Sequence, residues 1–261
     1  MGDGQQSPAI VGYRLPVRPD DYDASEPTAA MRPIPIEEGE EPLVDFSAPP
    51  YALPLERMRF DYRRELYGRR GLVERLKRAH EQLGAEGYGL LILECWRPPF
   101  IQRRMFLAAE AQLRERMPDL SSEELRTMTE RYSAPMDDEV PPPHTTGGAV
   151  DLWLSGPDGR PADLHSPYDW MDHEGFAFDA PALSPEARAH RDRLGAALNA
   201  EGLTNYTSEY WHWSWGDQGW AYRGGERAAI YGAIAPEDFV PNPADDIEGP
   251  LVFVPEDPLE S

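Results

Sequence analysis

Residues 143–152 read PHTTGGAVDL, and this stretch predicts a turn that leads into a buried strand. Its His144 and Asp151 are seven residues apart, and an odd separation on a straight strand points two side chains to opposite faces. Gly147 and Gly148 remove that obstacle, because glycine lets the chain turn between the two side chains. We therefore place His144 in the incoming loop and Asp151 on the strand.

A second stretch, EYWHW at residues 209–213, supplies another histidine. With His144 and Asp151, His212 would give two imidazoles and one carboxylate, a set that suits a catalytic zinc site with one position left for water. Glu209 precedes His212 by three residues. On a helix the two would share a face; on the aromatic strand that we favour, a bend or bulge must bring both inward. The sequence leaves both geometries open, and Glu209 is the candidate general base.

A third stretch places an arginine at the end of a strand. Residues 88–93, YGLLIL, predict a buried strand, and ECWRPP follows at 94–99. The two prolines end the strand pairing, so Arg97 is held at its edge. Beside a zinc ion, Arg97 would stabilise the negative charge that develops on the carbonyl oxygen during peptide hydrolysis. Taken singly, such an arginine is more often a surface residue, and isolated His–Asp and Glu–His pairs occur by chance.

The composition argues against several classes of binding partner. The 261 residues carry a formal net charge of −22, which argues against a nucleic-acid partner and against an anionic membrane surface. No apolar run is long enough for a transmembrane helix, and the N-terminus lacks the features of a signal peptide. The single cysteine, Cys95, excludes an internal disulfide. We expect a cytoplasmic protein with neither a nucleic-acid nor a membrane partner.

One folded domain is predicted between two polar extensions. Residues 1–53 are rich in proline and acidic residues and predict an extended arm, and residues 236–261 predict a similar tail. Residues 54–235 form the predicted domain. Apolar periodicity and capping residues predict helices at about 71–87, 100–117, 121–132 and 185–200. The expected fold class is α+β: a small, mainly antiparallel sheet carries the site, and helices pack on one side.

The motifs ECWRPP, HTTGGAVDL and EYWH, in this order, resemble the zinc D-alanyl-D-alanine dipeptidases. These enzymes belong with the D-Ala-D-Ala carboxypeptidases in one metallopeptidase family, and the resemblance extends over roughly residues 62–215. It implies one zinc ion per chain, held by His144, Asp151 and His212. It also implies Glu209 as catalytic base and Arg97 as the residue that stabilises the transition state.

The resemblance also implies a contact with the substrate amine. The family has a Phe-Asp pair after the zinc-binding aspartate, and Phe178-Asp179 is similar to it, although Asp172 and Glu174 lie nearby. The chain departs from the family two residues before His144, where Pro142 stands in place of a serine that helps to hold the substrate carboxylate. That contact must be absent or replaced.

These features predict an enzyme that hydrolyses D-Ala-D-Ala, or a similar short D-amino-acid dipeptide, with a small dipeptide as its partner. A carboxypeptidase that trims D-Ala from muropeptides is the nearest alternative. A non-catalytic, metal-containing binding protein is an alternative from another class, and the presence of both Glu209 and Arg97 argues against it.

Overall fold

The computed structural model describes residues 26, 28–58, 60–130, 132–165, 176–181 and 183–252. Within these residues the helices are α1 Thr28–Met31, α2 Arg70–Gly84, α3 Pro99–Arg116, α4 Ser122–Thr129, α5 Pro185–Ala200 and α6 Gln218–Gly224. The strands are β1 Leu43–Asp45, β2 Tyr67–Arg69, β3 Gly89–Glu94, β4 Ala149–Ser155, β5 Thr204–Asn205 and β6 His212–Ser214.

A four-stranded antiparallel sheet forms the centre of the molecule, with the strand order β3-β4-β6-β5. Every residue of β3 and β4 is buried, as their apolar runs predict. The strand predicted at 88–93 agrees with β3 to within a residue, and the buried strand predicted to carry Asp151 is β4. The expected α+β class, with a small antiparallel sheet and flanking helices, is confirmed.

The helix α2 covers the sheet with the apolar stripe that its periodicity predicts. Leu72, Leu76 and Leu83 are buried in the main core together with residues of β3 and β4. The helix α4 begins at a capping box. In it, the Ser121 side chain accepts from the backbone N–H of Glu124, and the Glu124 side chain accepts from the backbone N–H of Ser121. None of the helices in the described part of the chain has the length and apolar character needed to cross a bilayer.

A second, two-stranded sheet joins the N-terminal arm to the domain. In this sheet β1 pairs antiparallel with β2, and Phe46, directly after β1, is fully buried in the main core. The sequence did not predict this sheet, because three-residue strands carry too little periodicity to detect. At the other end of the chain, Leu251 is buried in a smaller apolar cluster. The boundaries at residues 54 and 236 stay predictions.

Candidate active site

Asp151 lies at the centre of the sheet, where two neighbouring strands bring polar side chains beside it. In the antiparallel register, Asp151 on β4 faces His212 on β6 and Glu94 on β3. Residues that face each other across antiparallel strands have their side chains on the same side of the sheet. Asp151 Oδ1 consequently lies 3.0 Å from His212 Nδ1.

His144 reaches the same place from a short 3₁₀ helix, Pro143–Thr146, that precedes β4. Gly147 ends this helix in the left-handed conformation, with φ of +69°. Gly148 then passes so close to the backbone that a Cβ atom on it would lie 2.7 Å from the carbonyl oxygen of Trp215. The glycine pair therefore turns the chain between His144 and Asp151, as the sequence predicted.

The three predicted ligand residues converge. His144 Nε2 lies 3.3 Å from Asp151 Oδ2 and 3.2 Å from His212 Nδ1. One ligand atom from each of the three residues lies within 4.8 Å of the others, and all three residues are buried. This spacing suits a single divalent ion held between them.

A hydrogen bond to the backbone holds the His144 ring in an orientation that suits such an ion. Its Nδ1 lies 2.7 Å from the carbonyl oxygen of Cys95, and because a carbonyl only accepts, Nδ1 carries the proton. The Nε2 lone pair then points towards Asp151 and His212. A second ring nitrogen held in this way is a general feature of metal-binding histidines, since it fixes both tautomer and ring orientation.

The charge on Asp151 is stabilised by its neighbours. Burial by itself raises the pKa of this carboxyl, but His144 and His212 beside it lower the pKa well below its usual range. The residue is therefore an ionised carboxylate, the form that binds a metal ion.

Glu209 lies in a turn that precedes β6. It is therefore neither on a helix nor on a regular strand, the two settings considered from the sequence. The His212 backbone N–H donates to the Glu209 carbonyl oxygen (3.1 Å), and the turn leads directly into β6. Asn205 Nδ2 fixes this turn by donating to the carbonyl oxygens of Glu209 (3.0 Å) and His212 (2.9 Å). Glu209 and His212 both border the same cavity. The role of Asn205 escaped the sequence reasoning, because nothing local marks an asparagine that binds a later turn.

Arg97 lies beside the predicted ligands and is held in a buried polar network. Its Nη1 donates to Gln102 Oε1 (2.6 Å), its Nη2 forms an ion pair with Glu94, and the same Nη2 lies 3.7 Å from Asp151 Oδ2. Burial opposes the charge on Arg97, but Glu94 and the neighbouring Tyr62 and Asp151 raise its pKa above the ordinary value. The guanidinium is thus a permanent cation at the site.

Glu94 is a second residue that the sequence reasoning missed. It accepts hydrogen bonds from both Tyr62 and Arg97 and is buried. The sequence offers one signal for this role of Glu94, its position three residues before Arg97 in ECWRPP. The signal is weak, because a glutamate at the end of a strand has many common roles.

Asp179 lies elsewhere. Its side chain is 87% exposed and forms an ion pair with Arg188 (3.1 Å), and it does not line the cavity. The nearby Asp172 and Glu174 fall outside the described residues. The structure therefore does not bring Asp179 to the described wall of the cavity, and its contact with a substrate amine stays a prediction.

A cavity of about 190 Å³ joins these groups. It is smaller than the roughly 300–1,000 Å³ that is usual for drug-sized ligands, so a small substrate fits it best. The three predicted ligand residues, Arg97 and Glu209 form one part of its wall. Aromatic and apolar side chains form another part, among them Phe60, Met105, Phe176, Tyr206 and Trp211.

Comparison with known proteins identifies the family. Residues 56–228 match the family described as D-ala-D-ala dipeptidase, peptidase family M15. The chain belongs to this family. The M15 peptidases are metal-dependent, so the chain is a metallopeptidase, and the resemblance seen in the sequence is confirmed.

Curated relatives of this M15 peptidase are D-alanyl-D-alanine dipeptidases. The one from Synechocystis is 24% identical over 188 residues, which cover 64% of this chain and 76% of the relative. The one from Enterococcus faecium is 28% identical over 149 residues, 54% of this chain and 69% of the relative. The solved structure of the LD-carboxypeptidase LdcB is 16% identical, covers 74% of this chain and 78% of that chain, and superposes with a TM-score of 0.37.

Proposed function

We propose that this M15 peptidase uses zinc to hydrolyse D-Ala-D-Ala or a similar short D-amino-acid dipeptide. One observation carries the proposal: two histidines and an aspartate converge within 4.8 Å, and a glutamate and a buried arginine border the same small cavity. The curated relatives, which are D-alanyl-D-alanine dipeptidases, support the choice of substrate.

The donor set fits zinc. His144, Asp151 and His212 offer two imidazole nitrogens and a carboxylate oxygen, the ligands of a catalytic zinc site with an open position. A bound zinc ion supplies Lewis acidity, which polarises a carbonyl group and acidifies water at neutral pH.

Glu209 and Arg97 have the two remaining roles, which are transfer of a proton and stabilisation of negative charge. Glu209 accepts a proton from the attacking water as the new C–O bond forms, and it returns that proton to the amide nitrogen as the C–N bond breaks. Arg97 stabilises the negative charge on the former carbonyl oxygen, and losing such a donor typically lowers the rate by about 10²–10³-fold. The apolar side of the cavity excludes bulk water and so strengthens these charge interactions.

The test is a peptide panel with purified protein loaded with zinc. The panel holds D-Ala-D-Ala, L-Ala-L-Ala and a pentapeptide that ends in D-Ala-D-Ala, and the readout is free amino acid. We expect release of D-alanine from the D,D-dipeptide, with loss of activity after chelation and in Glu209→Ala. Faster cleavage of the pentapeptide would instead indicate a carboxypeptidase, and no cleavage of any peptide would indicate a binding protein.

Metal content is a separate measurement. Elemental analysis of the wild type should find about one zinc ion per chain, and His144→Ala should lower that content strongly, because one of three protein ligands is lost. Equal zinc content in both proteins would contradict the ligand assignment, whatever the peptide panel shows.

A further inference from the structure

A buried arginine, Arg69, lies against the 3₁₀ helix that carries His144. It is the last residue of β2 and is 1% exposed. Its Nε donates to the carbonyl oxygen of Thr146 (2.9 Å), and its backbone N–H donates to the carbonyl oxygen of Gly147 (2.8 Å). This one residue therefore binds two of the backbone carbonyl groups that directly follow His144.

The rest of the Arg69 guanidinium binds segments that lie far apart in the chain. Its Nη1 donates to the carbonyl oxygen of Glu41 in the N-terminal arm (2.6 Å), and its Nη2 donates to that of Gly232, after α6 (3.0 Å). A planar guanidinium presents several donors in a fixed fork, so it can bind carbonyl groups of three segments at once. Arg69 thus joins the arm, the 3₁₀ helix and the segment after α6.

Glu38 of the arm is the counterion of this arginine. Its Oε1 lies 3.0 Å from Arg69 Nη1, and its Oε2 accepts from Arg69 Nη2 (3.0 Å) and from the backbone N–H of Gly232 (2.8 Å). A buried cation without a partner is costly, and a bidentate ion pair also fixes the direction of the guanidinium. The orientation of Arg69 beside the 3₁₀ helix therefore depends on a residue of the arm.

The arm also contacts the domain directly beside the metal ligands. The backbone N–H of Gly39 donates to the carbonyl oxygen of Ile230 (2.8 Å). Leu43 in β1 lies against Gly147, where a Cβ atom would lie only 2.6 Å from Leu43 Cδ2. The match to the family begins at residue 56, so these contacts come from a part of the chain outside that match.

We propose that Arg69, held by Glu38, is a positioning residue for His144, so that seating of the arm and binding of the metal are coupled. This inference rests on the proposed zinc site and deepens it. The carbonyl oxygen of Cys95 fixes the His144 ring, but the ring points at the ion only if its backbone is fixed as well. Partners that orient a metal ligand typically change metal affinity by about 10–100-fold. Because coupling between two sites is reciprocal, zinc in turn stabilises the seated arm.

The first experiment measures the zinc dissociation constant of Arg69→Lys by competition with a chelator. Lysine keeps the positive charge and can still pair with Glu38, but its single ammonium group cannot bind the three carbonyl groups together. We expect zinc to bind about 10-fold or more weakly. The visible absorption spectrum of the cobalt(II)-loaded protein should change as well, because it reports the geometry of the ligands. A wild-type constant and spectrum in Arg69→Lys would overturn the inference.

Arg104→Lys is the matched control for a general loss of stability. Arg104 is another buried arginine, 6% exposed, and it binds the backbone carbonyl oxygens of Asp245 (2.7 Å) and Gly249 (3.2 Å) in the C-terminal tail. Its substitution should lower the free energy of unfolding and leave the zinc affinity and the cobalt spectrum unchanged. Equal losses of zinc affinity in the two variants would mean that Arg69 acts only through the stability of the fold, and the inference would be wrong.

Glu38→Gln keeps the question answerable if Arg69→Lys does not fold. Glutamine preserves the size of the side chain and removes its charge. Since the Glu38 side chain is 40% exposed, we expect a smaller loss of zinc affinity, about two- to fivefold. Glu37→Gln is the control, because it removes the same charge at the exposed neighbouring position. Equal zinc affinities of Glu38→Gln and Glu37→Gln would contradict the role of the ion pair.

Hydrogen exchange measures the same coupling from the side of the arm. Exchange of the Gly39 N–H reports how often the arm separates from the domain. Zinc should slow this exchange in the wild type and slow it less in Arg69→Lys. The N–H of Leu251, which donates to the Arg104 carbonyl oxygen (3.2 Å), is the internal control, and zinc should leave its exchange unchanged. Exchange at Gly39 that does not respond to zinc would contradict the coupling.

Zinc binding by the wild type separates this inference from the proposed function. A wild type that binds no zinc would contradict both. A wild type that binds zinc, together with Arg69→Lys and Glu38→Gln variants that bind it equally well, would overturn only the role of Arg69 and leave the proposed function intact.

Discussion

At the scale of single residues, the network around Glu94 explains how a buried arginine keeps a defined orientation. Glu94 binds Arg97 through one oxygen and accepts from Tyr62 through the other. A buried charge without its partner costs several kcal/mol, so this carboxylate both neutralises Arg97 and fixes its direction. The position of Arg97 beside the proposed metal site therefore depends on a residue that needs no contact with the substrate.

Glu94→Gln tests this dependence. Loss of the carboxylate should release Arg97 from its orientation and lower kcat by roughly 10–100-fold, as for other residues that position a ligand or a catalytic group. Zinc content should stay near the wild-type value, since Glu94 is not among the converging ligands. The measurement pairs steady-state kinetics with elemental analysis, and Tyr62→Phe serves as a milder control that removes one hydrogen bond. A Glu94→Gln enzyme with wild-type kcat would contradict the prediction.

At the scale of elements, an irregularity in β3 decides which side chains meet at the site. The register between β3 and β4 shifts between Ile92 and Glu94, so that Glu94 rather than Leu93 faces Asp151. An extra residue of this kind redirects the side chains that follow it. The turn at Gly147 and Gly148 has a corresponding effect directly before the same end of β4, where it brings His144 to the site.

Gly148→Ala should damage this turn. The added Cβ atom would lie 2.7 Å from the Trp215 carbonyl oxygen and 2.9 Å from the ring of Tyr231, so the backbone has to move. We expect a loss of about 1–3 kcal/mol in the free energy of unfolding, together with weaker zinc binding. Chemical denaturation measures the first effect and metal titration the second.

Gly84→Ala is the control for that substitution. Gly84 is the last residue of α2, and a Cβ atom there meets nothing within 4 Å. Alanine should be neutral or stabilise the helix by up to about 1 kcal/mol. Equal effects of the two substitutions would mean that the close approach at Gly148 is unimportant.

At the scale of the whole molecule, the sequence predicts the metal cluster better than it predicts the rest of the cavity. The resemblance of three short motifs to a known family implies the ligand set of His144, Asp151 and His212, and the structure brings these residues together. The sequence does not predict that Glu26 of the N-terminal arm lines the cavity. No local pattern reveals that a residue of the arm reaches a cavity formed by residues far along the chain. Asp179 shows the reverse case: a motif predicts a contact with the substrate, while the described structure leaves the side chain exposed and paired with Arg188.

Zinc should stabilise the entire domain. The three proposed ligand residues come from the 3₁₀ helix and from two strands of the central sheet, so an ion that binds only the folded chain raises its stability by mass action. At a free zinc concentration 100 times the dissociation constant, the gain is about 2.7 kcal/mol. Thermal unfolding with and without zinc measures it. The increase should be much smaller in His144→Ala, and an equal increase in that variant would indicate zinc bound elsewhere.

The only sulfhydryl in the chain is a natural reporter on the opening of this site. Cys95 is fully buried, burial raises the pKa of its thiol, and its carbonyl oxygen binds His144. Iodoacetamide reacts with the thiolate, so alkylation in native buffer should be slow and should follow transient local unfolding. Zinc should slow the labelling further and His144→Ala should accelerate it, which mass spectrometry of a time course would record. Rapid labelling of the zinc-loaded protein would mean that the sheet opens far more readily at this edge than its packing suggests.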